Sequence, residues 1–284
     1  MTVRAAPADR GGSARRGAER WPWIFAAAGG LCVAVYAVNV AIAEVRPGGP
    51  WGIGYGVAAT VLLVAAALLG VRRRAMRFAS RRRLGSARAW LVVHLYGGSF
   101  FLLLVLMHSG FALPNGALTQ WLLGLSLWTV LSGFLGLALQ TWIPRVLSSG
   151  LAVEVLYDRI PELVDEIRGQ AEQLAAESVE PIPALYERSL ARLLEAPRRR
   201  WIYFFDITGG IRNRLRELEY LRGLLGPEER ERLDRLQLLV ESKLEIDAHY
   251  TLQRALREWL YLHVPTSLLL VVLVAVHVAS VLYY

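Results

Sequence analysis

Four of the chain's five histidines stand in two matched pairs, His94 with His108 and His263 with His277, each pair fourteen residues apart. Neutral imidazole is the commonest protein ligand for a metal. On an α-helix fourteen residues turn through about 1,400°, within roughly 40° of four whole turns, and rise by about 21 Å. The two members of each pair therefore lie on one stripe of a helix, at two depths. Both pairs fall inside apolar stretches long enough to cross a membrane, where an ionisable side chain is costly and marks function.

The elements that must position these residues follow from composition. The chain has 284 residues, 55% of them hydrophobic, and a mean hydropathy of +0.36. That is too apolar for an ordinary soluble domain. Five uncharged segments, 21–43, 51–71, 89–113, 121–143 and 259–284, are each long enough to span a core of about 30 Å. Tryptophans stand at or beside their starts, at Trp21, Trp23, Trp51, Trp90, Trp121 and Trp259, and Tyr283 and Tyr284 close the last. Such residues favour the membrane interface. The expected fold is an all-α membrane protein of five transmembrane helices forming a haem-binding bundle. Its divisions are a basic tail over 1–20, helices one to four over 21–143, a helical insertion over 144–258 and helix five over 259–284.

A net charge of +8 and a pI of about 10.0 would suit a soluble nucleic-acid binder. In an apolar chain the arginines read instead as topology signals, and no nucleic-acid partner is expected. The segment 71–88 holds Arg72, Arg73, Arg74, Arg77, Arg81, Arg82, Arg83 and Arg88 with no acid, whereas 109–120 carries no charge. The positive-inside bias places the arginine segment, the N-terminal tail and the insertion in the cytoplasm of a bacterial cell, and the C-terminus outside the inner membrane. The tail and first apolar run superficially fit a signal peptide, but the run exceeds the usual apolar core, and it is read as an uncleaved span.

With spans three and five pointing the same way, His94 and His263 share the inner level, and His108 and His277 the outer one. Zinc takes four protein ligands, or three with water, and two histidines per level leave it half empty. Haem brings four in-plane nitrogens and needs two axial ligands. Ligand count thus selects two haems, with His94, His108, His263 and His277 as axial ligands to iron. The single cysteine, Cys32, excludes cysteine-ligated iron-sulfur clusters and the CxxCH attachment of c-type haem. The haems are therefore b-type, and bis-histidine ligation leaves no open position, which points to electron transfer rather than catalysis.

RAWLVVH at 88–94 and REWLYLH at 257–263 share the pattern R-x-W-L-x-x-H. Arg88 and Arg257 lie six residues, about 9 Å, before the inner ligands, and are candidates for the anionic propionates of the inner haem. Gly97, Gly98 and Gly110 lie around the ligands of span three, where a flat macrocycle would need close approach. Gly52, Gly54, Gly56, Gly133 and Gly136 read as ordinary helix packing. His249 also stands fourteen residues before His263, but KLEIDAHYTLQR is polar and leaves it outside the hydrocarbon without a partner histidine.

The insertion shows three- and four-residue apolar spacing in IPELVDEIRGQAEQLAAESV and IRNRLRELEYLRGLL. Gly226-Pro227-Glu228 marks a turn and helix start, after which no breaker but Pro265 interrupts the chain, so one helix is expected to run into span five. Gly209-Gly210 reads as a turn, and Trp201, Tyr203, Phe204 and Phe205 as core, with docking on the bilayer or a partner as the alternative. No GxGxxG or GxxxxGK[ST] fingerprint occurs.

These residues together resemble the di-haem b-type cytochromes, whose helical core holds two haems through paired histidines. Placement of the pairs on the third and fifth spans is similar to the membrane module of ferric reductases and NADPH oxidases. That resemblance implies electrons crossing the membrane to an external acceptor. The chain has neither that family's flavin and nicotinamide domains nor a PEWY-type quinol motif. The expected role is an electron-transfer subunit of a membrane oxidoreductase complex. It would link a quinol pool or cytoplasmic donor to a redox partner such as quinone, cytochrome c or an iron-sulfur protein, within the lipid and as a homo- or hetero-oligomer. Glu44 or Tyr36 would serve a quinone's protons. The alternative is a haem-containing scaffold or redox sensor that signals through its insertion.

Overall fold

The structure is a computed structural model and describes residues 11–43, 45–74, 86–150, 157–204 and 218–283. Long helices dominate: α1 (Gly11–Ile42), α2 (Pro50–Arg74), α3 (Ala87–His108), α4 (Ala117–Gly150), α5 (Ile160–Ala176), α6 (Ile182–Leu185), α7 (Ala191–Leu194) and α8 (Pro227–Tyr283). A π-turn over Tyr186–Leu190 joins α6 to α7, and a short 3₁₀ turn spans Trp201–Phe204. Among the described residues five helices are long and apolar enough to cross a membrane, with candidate spans at Trp21–Ile42, Pro50–Arg72, Ala87–His108, Ala117–Arg145 and within Pro227–Tyr283. The protein is an all-α membrane protein.

The chain divides into two compact units, one of Met1–Gly133 with His263–Tyr284 and one of Phe134–Leu262. In the first, α2 and α3 pack along stripes written in the sequence: Tyr55, Ala59, Leu63 and Ala66 on α2, and Gly97, Phe101, Leu104 and Met107 on α3. The three- and four-residue steps keep each stripe on one helix face. Leu125 and Val130 of α4 and Leu270 of α8 complete this core. Many remaining large apolar side chains, among them Leu31, Val61, Leu131 and Val272, are exposed. That is the surface hydrocarbon would cover.

α3 begins where Ser86, extended at ψ 151°, accepts the Ala89 N–H at 3.1 Å. It ends at His108, short of the residue 113 expected from hydropathy. The cause is local: Gly110 adopts φ 64°, its N–H bonds to Met107 O, and the Phe111 N–H reaches back to Leu106 O at 2.8 Å. This left-handed termination closes the helix with apolar chain still to come. Hydropathy reads lipid exposure, not backbone direction.

In the second unit, α5 buries Ile160, Val164, Ala171 and Ala175, and the first half of α8 buries Leu233, Leu236, Val240 and Leu244. Ile182, Tyr186, Leu190 and Leu194 fill the same core. α8 starts with Pro227 at its first position, and the Arg230 N–H bonds to Gly226 O. It runs unbroken through Pro265 to Tyr283, as expected. The unit reaches further into α4 and α8 than 144–258, because charge marks the end of an apolar stretch rather than the end of a helix. The first half of IRNRLRELEYLRGLL, Gly209-Gly210, Phe205, Glu44 and most of the arginine segment lie outside the described residues.

Candidate functional site

The histidines meet in the pairs that topology required, His94 with His263 and His108 with His277. Their ring centroids are 6.3 Å and 6.4 Å apart, and the ring planes are nearly perpendicular, at 80° and 78°. His263 is buried, and the other three are partly buried.

α2 holds both ligands of α3 by its main chain. His94 Nδ1 lies 3.0 Å from Ala66 O, and His108 Nδ1 lies 2.8 Å from Gly52 O. A carbonyl oxygen can only accept, so each Nδ1 carries the proton and donates it. The two acceptors are fourteen residues apart, matching the histidines, and antiparallel packing of α2 on α3 brings both pairs into register. His263 uses a side chain instead. Ser132 Oγ gives its own proton to Thr129 O at 3.0 Å and accepts from His263 Nδ1 at 2.9 Å. In all three histidines the lone pair is thereby left on Nε2, the tautomer that binds a metal, with the ring fixed by an oxygen behind it.

Two glycines provide room for these rings. A Cβ on Gly56 would stand 2.9 Å from His108 Nδ1, and one on Gly133 would stand 3.6 Å from His263 Cε1. Sequence predicts ordinary helix packing for both, yet each lies against one of the paired imidazoles. None of Gly97, Gly98 and Gly110 would bring a Cβ within 4 Å of a histidine ring. Gly97 is buried near Leu62, Gly98 meets nothing within 4 Å, and Gly110 serves the turn, where a Cβ would strike Val45 O at 2.9 Å.

Arg88 lies exposed in the first turn of α3. Arg257 pairs with Asp158 at 2.9 Å and stacks on the Tyr157 ring at 3.9 Å. Pro265 leaves α8 intact, and the hydroxyls of Thr266 and Ser267 both donate to His263 O, at 3.1 Å and 2.6 Å. His249 is buried in the second unit beside Gln253. Tyr36, with Arg46, Ser109 and Gly110, lines a cavity of about 460 Å³ beside the turn that follows His108.

The ring separation tests which group fits. A metal–imidazole bond of about 2.0–2.1 Å, with the ring centroid about 1.1 Å behind the nitrogen, sets two axial imidazoles about 6.2–6.4 Å apart. Both pairs have that spacing. Among the described residues no cluster of three or more histidine, cysteine, aspartate or glutamate side chains is placed to hold a bare metal ion. Two imidazoles at that spacing suit a metal that arrives with its own equatorial ligands. Ser132 and the α2 carbonyls were missed from sequence; a serine in an apolar span is a signal that could have found the first. Compared with known protein families, curated proteins and solved structures, the chain finds no match.

Proposed function

We propose that the protein is a di-haem b-type cytochrome that carries electrons across the bacterial inner membrane. His94 and His263 hold one haem and His108 and His277 the other. The observation that carries this reading is the separation of the two imidazole pairs, 6.3 Å and 6.4 Å between centroids. Bound there, haem would supply a one-electron carrier cycling between ferric and ferrous iron. The chain's own residues fix the axial nitrogens, keep Nδ1 protonated through Ala66 O, Gly52 O and Ser132 Oγ, and surround the site with apolar helix faces. Hydrogen bonding behind the ligand and burial set the potential of such a centre.

The partners at either end are a quinol pool or cytoplasmic donor and a redox protein. The arginine segment places the His94 level on the cytoplasmic side. Arg88 and Arg257 of the R-x-W-L-x-x-H pattern are the candidates for the propionates of the inner haem, and Arg257 also pairs with Asp158.

The test is the haem content and spectrum of the purified protein. Two haems per chain are expected, with a reduced-minus-oxidised spectrum of low-spin b-type haem. His277→Ala should leave one haem per chain. A folded preparation that takes up no haem overturns the proposal.

A further inference from the structure

We propose that residues 198–204 form an interfacial anchor, which seats Trp201 and Ile202 among the phospholipid headgroups at the Trp142 end of α4. The inference does not depend on haem and concerns the second unit alone.

This segment is pinned, so its outward side chains are held in place. The Arg198 N–H donates to Asp247 Oδ1 at 2.8 Å, and the Arg200 N–H to Thr251 Oγ1 at 3.2 Å. Tyr203, 1% exposed, is inserted among Ile143, Ala248 and Leu252. Trp201 and Ile202, the two preceding residues, are left 65% and 50% exposed.

Depth identifies what covers them. Phe204 stacks on Trp142, with centroids 6.0 Å apart and planes 12° from parallel. Trp142 and Ile143 lie in the last turn of the apolar span that ends at Arg145. Trp201 in turn lies 5.6 Å from Phe204. The aromatic row Trp142, Phe204, Trp201 therefore starts at the span's end, where tryptophan partitions into the headgroup region. The Arg199 guanidinium sits 4.3 Å over the Trp201 ring and pairs with Glu258 at 2.9 Å, while Arg198 and Arg200 flank it in the chain and Arg145 ends the span. Arginine beside tryptophan at that depth matches a surface of phosphates above hydrocarbon. A protein partner would not require the patch to coincide with the end of a span.

Site-directed spin labelling of the full chain in phosphatidylcholine–phosphatidylglycerol vesicles tests this. Cys32 is the only cysteine, so Cys32→Ala gives a clean background for Ile202→Cys, with Trp201→Cys as a second position. Leu238→Cys is the control, because Leu238 is 62% exposed in the same unit and lies about 30 Å down α8 from Trp259. A nitroxide at 202 should collide several-fold more with oxygen than with a water-soluble nickel chelate, and one at 238 should show the reverse. Nickel access at 202 equal to that at 238 overturns the anchor. So does protection of 202 from both reagents, which would mean that a second copy or another protein covers it. If Cys32→Ala fails to fold, Cys32→Ser carries the same comparison.

Discussion

A histidine that holds haem as proposed is tuned from behind. In His263 the Nδ1 proton rests on Ser132 Oγ, whose own proton is committed to Thr129 O. That hydroxyl is the tuning group substitution can remove, because the oxygens behind His94 and His108 are backbone. Ser132→Ala takes away the acceptor, so the imidazole donates less charge to ferric iron. The inner haem should rise in potential and be retained about tenfold or more less tightly, with the outer haem unchanged; a spectroelectrochemical titration separates the two. The glycines offer a steric counterpart. Gly54→Ala meets open space and should stabilise α2 by about 0.5–1 kcal/mol. Gly56→Ala drives a methyl group into the His108 ring at 2.9 Å, which should displace it from Gly52 O and lower the haem-to-protein ratio toward one. Equal haem content in the two variants would count against the close approach. The four histidines were legible from spacing because residue type announces a ligand. Ala66 and Gly52 were not, since any residue supplies a carbonyl and only the register of α2 on α3 selects which.

Helices were the most legible elements, yet their ends and their buried charges depend on contacts distant in sequence. α3 stops at His108 because Gly110 turns left-handed, and the apolar residues beyond it conceal that stop. In α8, Lys243 and Asp247 are a turn apart and would pass for a solvated pair, but both are fully buried, 2.8 Å from one another. Burial draws the Lys243 ammonium below its usual pKa and pushes the Asp247 carboxyl above its own, and each charge partly restores the other. Asp247 also anchors the Arg198 N–H. Lys243→Met leaves a lone buried carboxylate and should cost about 3–5 kcal/mol. The double variant Lys243→Met/Asp247→Asn removes both charges, keeps an acceptor for Arg198, and should recover most of that loss. The single variant has a signed pH dependence. Its native carboxyl keeps a proton at pH values where the unfolded chain, with an ordinary value of 3.8, has released it. The native state then binds more protons, so stability falls as pH rises through that window. Thermal unfolding in detergent should show a smaller deficit for Lys243→Met near about pH 5 than at pH 8.

At the scale of the molecule, two levels of paired imidazoles on helices long enough to cross the bilayer are the arrangement that the proposed passage of charge between the levels needs. The fourteen-residue step sets them about 21 Å apart along the helix, so neither level alone connects the two sides. Five apolar stretches and their histidines were enough to reach this arrangement from sequence. What sequence could not supply was the α2 scaffold, whose carbonyls become acceptors only after α2 and α3 pack antiparallel. The arrangement predicts a vectorial activity that needs no natural partner. With the protein reconstituted in vesicles that hold trapped ferricyanide, a membrane-impermeant reductant added outside should bleach the trapped dye. His277→Ala should still give a haem that the reductant or the dye can reach from one side, yet transfer across the bilayer should fall to the leak rate of protein-free vesicles. His94→Ala should do the same from the opposite level. Bleaching that survives either substitution would mean that electrons do not use both pairs, and that the matched spacing serves the assembly of the helices instead.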